Sequence, residues 1–383
     1  MKGTKGTSKL FMLIIVAAMM LLPAAAGAGD LPKMISATTY TVGSTGYAIS
    51  MGLCKAIEEK GGIKVKVVPA GTDVSKLMPV MTQEASFSIL TGAGQFMASR
   101  GLQLFAAPNM GPQKLRLVWA CNIGAVAGMM TRADADIKTL ADLKGKRVSF
   151  IPGSPACTFL HGGYLAFGGL DWKDVKKVKV SSWKAAWKSV LEGSSDTAHC
   201  LVTSSAAMEL AASPHGIHWL PAPPQDKAGW KRLNSWCPYL RPYEAKKGAG
   251  ISPEKPAHIA SYYYGFVTYP HLEPKLAEVI TGSIYNGYDI YADMHAALKK
   301  WTRAAALDNG AFVVPYHRGS VEAFKAAGAW SAEHQKIQQM LLEQEKARLA
   351  GYAAAQKAAK DKGVSQKDWP KFWEEYARGH NLL

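Results

Sequence analysis

The feature that most limits the fold is a recurring order of apolar strand, hydroxyl-rich turn and amphipathic helix. Residues 35–42 read as a strand, Gly43-Ser44-Thr45-Gly46 breaks it, and 47–60 carry Ile49, Leu53 and Ile57 on one helical face. Gly61-Gly62 stops that helix. Residues 64–69 form a second strand. Gly71-Thr72-Asp73 then opens a helix with Asp73 as N-cap and Val74, Leu77, Met78 and Met81 as its buried stripe. A third strand at 87–90 leads through Thr91-Gly92-Ala93-Gly94 into a short helix that ends at Gly101. Alternating strands and helices at this spacing require a mostly parallel sheet covered by helices.

The order repeats further along. Strands are expected at 147–151, 175–180 and 200–203, and helices from Pro155 to Phe167, over 183–191, and from Ser204 or Ser205. Between the two units, 115–131 has the apolar content of long paired strands, and 262–269 is a second β-rich run. Two α/β units joined by two such crossings form a two-lobed molecule with a hinge. The expected division is 29–130 plus 268–330 for one lobe and 131–267 for the other. Residues 331–383 are read as a helical extension packing on the lobes. Its Ala/Gln/Glu/Lys-rich helix at 332–362 places Ile337, Leu341 and Leu349 on one face. Trp369, Phe372, Trp373 and Tyr376 follow as an aromatic stripe, read as a strap across the lobes rather than a membrane-surface helix.

Five of the strand-to-helix turns share a chemistry. They are Ser44-Thr45-Gly46, Gly71-Thr72-Asp73, Thr91-Gly92-Ala93, Gly153-Ser154 and Thr203-Ser204-Ser205. Helix N-termini offer unpaired N–H groups and about half a positive charge. Glycine lets a ligand approach the backbone, and Ser or Thr adds a hydroxyl donor. Open α/β sheets bind ligands beyond the carboxyl ends of their strands. The expected site is therefore a cleft for a small anion, with Ser44, Thr45, Tyr47, Gly71, Thr72, Thr91, Gly92, Ser154, Ala156, Cys157, Thr203 and Ser204 as candidate contacts. Helix capping alone also places such residues in turns, so two or three of the five turns are expected to touch the ligand.

Compartment and charge narrow the partner. Lys2, Lys5 and Lys9 precede an apolar run at 10–22, and Ala26-Gly27-Ala28 is a small-x-small cleavage signature, so 1–28 read as a signal peptide. The chain has 45 Lys+Arg against 29 Asp+Glu, a net charge of +16, of which +13 remains once those three lysines are removed. An exported protein whose basic residues are scattered singly is not a nucleic-acid binder. It is expected in the periplasm, attracting a small anion or an acidic membrane partner.

Motifs for enzyme chemistry are missing: there is no phosphate-binding loop, dinucleotide fingerprint, nucleophile elbow or H-E-x-x-H. His215 and His218 are spaced H-x-x-H without a nearby Cys or carboxylate in sequence, and neither metal nor cofactor is expected. Cys157 and His161, four apart, meet the minimum spacing for an activated thiolate, which leaves an exported Cys/His hydrolase as an alternative. Export would permit one or two disulfides among Cys54, Cys121, Cys157, Cys200 and Cys237.

Several of these segments resemble, in order, the TAXI family of extracytoplasmic solute receptors, which serve tripartite ATP-independent periplasmic (TRAP) transporters. The resemblance rests on Gly43-Ser44-Thr45-Gly46 with Gly52, Pro69-Ala70-Gly71-Thr72-Asp73-Val74, and Leu140-Ala141-Asp142-Leu143-Lys144-Gly145-Lys146-Arg147-Val148. It continues through Pro152-Gly153-Ser154, Leu191-Glu192-Gly193 with Asp196, and Gly216-Ile217-His218-Trp219-Leu220-Pro221. It implies a type II periplasmic-binding-protein fold, a small carboxylate-bearing solute between two lobes, and delivery to TRAP-type permease subunits. A binding protein of an ABC importer shares the lobes and differs in its membrane partner. The chain departs from the family pattern at Ala48-Ile49, Thr91, Ala93 and Pro155-Ala156, so no specific amino acid is carried over as ligand.

Overall fold

The computed structural model describes residues 31–383 apart from 108–109, 153 and 310–312. The expected signal segment and Gly153 therefore lie outside the described residues. The first α/β unit runs β1 (Met34–Thr39), α1 (Thr45–Gly61), β2 (Lys64–Pro69), α2 (Asp73–Met81), β3 (Phe87–Thr91) and α3 (Gly92–Arg100). β4 (Arg116–Arg132) leads out of it. The second unit runs β5 (Arg147–Phe150), α4 (Pro155–Phe167), β6 (Lys176–Lys179), α5 (Trp183–Leu191), β7 (Ala198–Leu201) and α6 (Ser205–Ala212). It continues through β8 (Ile217–Trp219), α7 (Lys227–Trp236) and β9 (Arg241–Ala245), and β10 (Ala257–Thr268) returns to the first unit.

The two units repeat one pattern. In the first, β2, β1 and β3 are parallel and β10 is antiparallel to β3. In the second, β6 and β5 are parallel, Val148 bridges in parallel to Thr197, and β7 is antiparallel to β4. β4 and β10 pair with each other through both units, giving the order β2-β1-β3-β10-β4-β7. Their register shifts between Tyr262 and Tyr264, opposite Ala125 and Cys121, so the ladder is interrupted where one unit passes into the other. This is the expected fold class, a mixed α/β chain of two units joined by two crossing strands. The outer edges are β2 and β6, where Lys64, Lys66, Lys176 and Lys179 discourage pairing with another chain. The central β3 is buried at every residue.

Local structure departs from sequence expectation in two helices. In α2 the N-cap is Thr72, in a reciprocal capping box with Ser75, and Asp73 is the first helical residue. The buried side of α2 is Asp73, Lys76, Leu77 and Val80, while Met78 is exposed. An ion pair holds Lys76 inside, which apolar periodicity does not register. The remaining helices are α8 (Pro274–Asn286), α9 (Tyr288–Tyr291), α10 (Arg303–Ala306), α11 (Arg318–Ala326), α12 (Ala332–Asp361) and α13 (Trp369–Gly379). α12 buries Gln338, Leu341, Arg348, Tyr352, Ala355 and Ala359, and Ile337 and Leu349 lie beside this face. Polar anchors set its rotation. Gln338 brackets the Tyr316 peptide with two hydrogen bonds of 2.8 Å, and Arg116 grips Glu345 with two of 2.6 and 2.8 Å.

The aromatic stripe of α13 is half sunk. Trp369 and Trp373 are buried, with indole N–H groups donating to the carbonyls of Ala106 and Arg100 at 2.5 and 3.0 Å. Both anchors belong to the end of the first unit, so these tryptophans fasten α13 there rather than across both units. Trp373→Ala removes a fully buried ring, a change that costs about 3–5 kcal/mol in a packed core. We expect amide exchange in 369–379 to accelerate by orders of magnitude while 87–91 in the central strand keep their protection. Equal loss in both segments would show that α13 is integral to the core.

Candidate functional site

Six helices of the two α/β units begin alike. Ser44, Thr72, Thr91, Ser154, Ser182 and Ser204 each accept the N–H three residues on, from Tyr47, Ser75, Gly94, Cys157, Ala185 and Ala207. Each such cap contributes about 1 kcal/mol to its helix. The capping oxygen acts as acceptor, which leaves the hydroxyl hydrogen to be donated elsewhere.

One turn delivers a charge. Asp73 and Lys76, both with fully buried side chains, are joined at 3.1 Å. Oδ1 of Asp73 also accepts from the Tyr40 hydroxyl at 3.2 Å, and Oδ2 accepts from the Ser154 hydroxyl of the second unit at 3.1 Å. The Lys76 ammonium lies 2.8 Å from the centre of the Tyr40 ring. Burial pulls its pKa down to about 8, and the Asp73 charge opposes that shift. Two further bonds join the units: Thr45 and Thr203 share a 3.2 Å hydroxyl contact, and Ser205 donates to the Gly43 carbonyl.

Between these latches lies a cavity of about 30 Å³. From the first unit Tyr40, Ser44, Gly46 and Thr91 border it, and from the second Leu160, Trp183, Trp187, His199 and Leu201. Tyr262 and Tyr264 of β10 complete the wall. Gly46 is required there, since a Cβ would lie 2.5 Å from Cδ2 of Tyr40. Two wall residues, His199 and Tyr262, each carry a polar atom, Nε2 and the hydroxyl, that is buried with no hydrogen-bond partner among the described residues. Such atoms cost about 1–3 kcal/mol each unless something pairs with them. Burial, reinforced by the neighbouring His161, holds the His199 pKa well below the usual imidazole value, so its ring is neutral at pH 7.

The residues picked out from sequence divide into groups. Ser44 and Thr91 border the cavity, while Thr45, Thr203 and Ser154 bridge the units beside it. Gly92 packs under Tyr263 and accepts its hydroxyl at 3.1 Å, and a Cβ there would fall 2.9 Å from the ring. Gly71 faces Ser182, Thr72 closes its own capping box, and Ser204 contacts Cys200 Sγ at 2.9 Å. Tyr47 is half-buried off the wall, and Ala156 and Cys157 are buried in α4. Sequence reading missed Tyr40, Lys76, Trp183, Trp187, His199, Tyr262 and Tyr264. The Tyr262-Tyr263-Tyr264 run within a β-rich segment was the available signal.

The alternative chemistries find no geometry. The Cys157 thiol is raised to about 12 by burial, and its sulfur lies 3.7 Å from Nδ1 of His161. That Nδ1 donates to the Ser149 carbonyl at 2.9 Å, while Nε2 accepts the His199 N–H at 3.0 Å. Both imidazole nitrogens are thus committed and neither can take the thiol proton. All five cysteines are free and buried, so none of the disulfides that export would permit is formed. His215 meets Asp134 at 2.8 Å and His218 meets the Lys138 carbonyl at 3.1 Å. No group of three or more His, Cys, Asp or Glu able to hold a metal occurs among the described residues, and none of their helices is long and apolar enough to cross a membrane.

The sequence profile of the NMT1-like family matches residues 37–328. No curated protein matches the chain. Among solved structures, the chain is similar to an ancestral arginine-binding protein bound to glutamine, with 16% identity, TM-score 0.43, and 71% of this chain and 98% of that one covered. It is also similar to the alkanesulfonate-binding protein SsuA of Xanthomonas axonopodis pv. citri bound to MOPS, with 14% identity, TM-score 0.41, and coverage of 81% and 94%. A third is the GluR0 ligand-binding core of Nostoc punctiforme in complex with L-glutamate, with 14% identity, TM-score 0.40, and coverage of 70% and 99%.

Two measurements test the site's electrostatics. Asp73→Ala strands the buried Lys76 cation, which should cost about 3–5 kcal/mol in urea unfolding, and adding Lys76→Met should recover most of it. An additive double mutant would show that the pair is not coupled. The second concerns pH. His161 is depressed to about 4 by burial, and His199 is also depressed, so the unfolded chain binds more protons than the folded one below about pH 6.5. Stability is present above that pH and is lost as pH falls toward 4, by up to about 1 kcal/mol per pH unit for each imidazole. His161→Gln should flatten the slope between pH 7 and 5; an unchanged slope would show that His161 does not titrate on unfolding.

Proposed function

The chain belongs to the NMT1-like family, and from that premise we propose that it is a periplasmic solute receptor. In this reading it closes two α/β units around a small carboxylate-bearing solute and hands it to a membrane permease. The observation that carries the proposal is the cavity between the units, whose wall joins Ser44 and Thr91 of the first unit to His199 of the second and Tyr262 of β10. The Ser44 and Thr91 hydroxyls and the N-termini of α1 and α3 meet it from the first unit. Because Asp73 matches the Lys76 charge and His199 is neutral, helix dipoles and neutral hydrogen-bond donors attract the anion rather than a free cation.

A cavity of about 30 Å³ holds little more than a water molecule or two. A solute therefore enters only when the units part. Parting breaks the Ser154–Asp73, Thr45–Thr203 and Ser205–Gly43 bonds. Each contributes about 1 kcal/mol net, a cost that solute binding can exceed. The interrupted β4–β10 ladder at Tyr262–Tyr264 is the place in this scheme where the crossing strands bend. The signal-like residues 1–28 and the ordered resemblance to TAXI receptors support export and a TRAP-type permease as the partner.

A thermal-shift screen of small carboxylates, with sulfonates and neutral amides as comparison, tests the proposal. A carboxylate at 100 times its Kd should stabilise the protein by about 2.7 kcal/mol. Ser44→Ala combined with Thr91→Val should reduce that shift strongly. Absence of any shift across the anions, or full retention in the double variant, would overturn the site.

A further inference from the structure

The outer edge of the second unit carries a concentration of charge that the interunit cavity does not use. Between residues 144 and 188 the sequence has nine Lys or Arg against two Asp. Strand pairing gathers most of these cations. The Gly145 N–H donates to the Asp174 carbonyl at 2.7 Å, and the Lys176 N–H donates to the Lys146 carbonyl at 2.8 Å. β5 and β6 then run in parallel, with Arg147 opposite Lys176 and Phe150 opposite Lys179. The turn holding Lys144 thus lies against the one holding Lys173, and Lys176, Lys177 and Lys179 continue along the edge. All five lysines are exposed.

Ion pairing does not cancel this charge. Arg147 is matched by Asp196 at 2.5 Å and Lys188 by Glu192 at 3.2 Å, but the five edge lysines form no ion pair among the described residues. The two aspartates are committed to their own turn. Asp171 accepts the Trp172 N–H at 2.5 Å, and Asp174 accepts the Asp171 N–H at 2.8 Å. The nearest rings lie beneath the cations: Lys177 Nζ is 5.1 Å from the Trp172 ring centre and 5.2 Å from that of Phe150. Trp172 is buried and Phe150 half-buried, and no large apolar side chain among the described residues of 144–188 is exposed.

That composition selects the partner. Specific protein interfaces centre on aromatic, Met and Arg anchors and are depleted in Lys. An ammonium is a compact, strongly hydrated point charge without the planar fork that reads a single carboxylate. A row of free lysines with no apolar centre suits a surface of diffuse negative charge, where each lysine near an anionic leaflet raises partitioning about fivefold. We propose that the edge formed by Lys144, Lys173, Lys176, Lys177 and Lys179 docks on an anionic lipid surface. All five belong to the second unit, so this contact does not depend on what the interunit cavity binds.

The test is sedimentation of the purified full chain with phosphatidylcholine vesicles, with and without one-third phosphatidylglycerol. Binding is expected to the anionic vesicles alone, weakening as added salt shortens the Debye length from about 10 Å at 0.1 M toward about 3 Å at 1 M. Amide exchange in the bound chain should slow within 144–147 and 171–180. Lys173→Gln, Lys176→Gln, Lys177→Gln and Lys179→Gln together should weaken binding at least tenfold. Lys64→Gln, Lys66→Gln, Lys336→Gln and Lys357→Gln remove equal charge from exposed positions elsewhere and should weaken it less than threefold. Equal loss in the two variants, or protection confined to α13, would overturn the proposal. Failure to bind the anionic vesicles would also overturn it, and retention on immobilised polyglutamate in that case would assign the edge to an acidic protein. The vesicle, salt and exchange comparisons use the unaltered chain should either variant aggregate.

Discussion

Everything in this molecule hangs on two strands that pair with each other through both α/β units. β4 and β10 close the sheet of the first unit beside β3 and carry the sheet of the second beside β7. Because the pairing continues, the helix-starting turns of both units are held toward one shared space. Because it is interrupted between Tyr262 and Tyr264, the sheet changes course there, where both tyrosines border the interunit cavity.

Around that frame, buried polar groups are handled in contrasting ways. Asp73 is saturated by Lys76, Tyr40 and Ser154, three partners from three places in the chain. A buried carboxylate requires such company, since removing it from water costs several kcal/mol. His199 Nε2 and the Tyr262 hydroxyl are among the buried polar atoms that have no such partner among the described residues, and both residues line the interunit cavity. The chain's positive charge, by contrast, is spent partly on protective lysines along β2 and β6.

Much of the fold is legible locally because its signals are local. Residues 64–69 and 183–191 occur as expected, since edge-strand alternation and a Ser-capped helix announce themselves within a few residues. The candidate site is legible only in part. Ser44 and Thr91 stand out as small hydroxyl residues at strand ends, and they border the cavity. His199, Trp183 and Tyr40 give no comparable local signal, because a buried aromatic in the core and one on a cavity wall have the same sequence neighbours. Asp73 shows the limit most clearly. Its position before an apolar stripe reads as a cap, yet Thr72 takes that role and the carboxylate turns inward to meet a lysine three residues on.

The sequence by itself determined many of the secondary elements, their alternation in two units and most of the hydroxyl caps that start the helices, because capping and periodicity act over three or four residues. Only the tertiary structure decided which of those caps meet across the molecule and that Cys157 and His161 are inert. It also decided that α13 is fastened to one unit. The physical reason is separation along the chain. Ser154 reaches Asp73 across 81 residues and Trp373 reaches Arg100 across 273, distances over which no local pattern constrains which groups share a desolvated space.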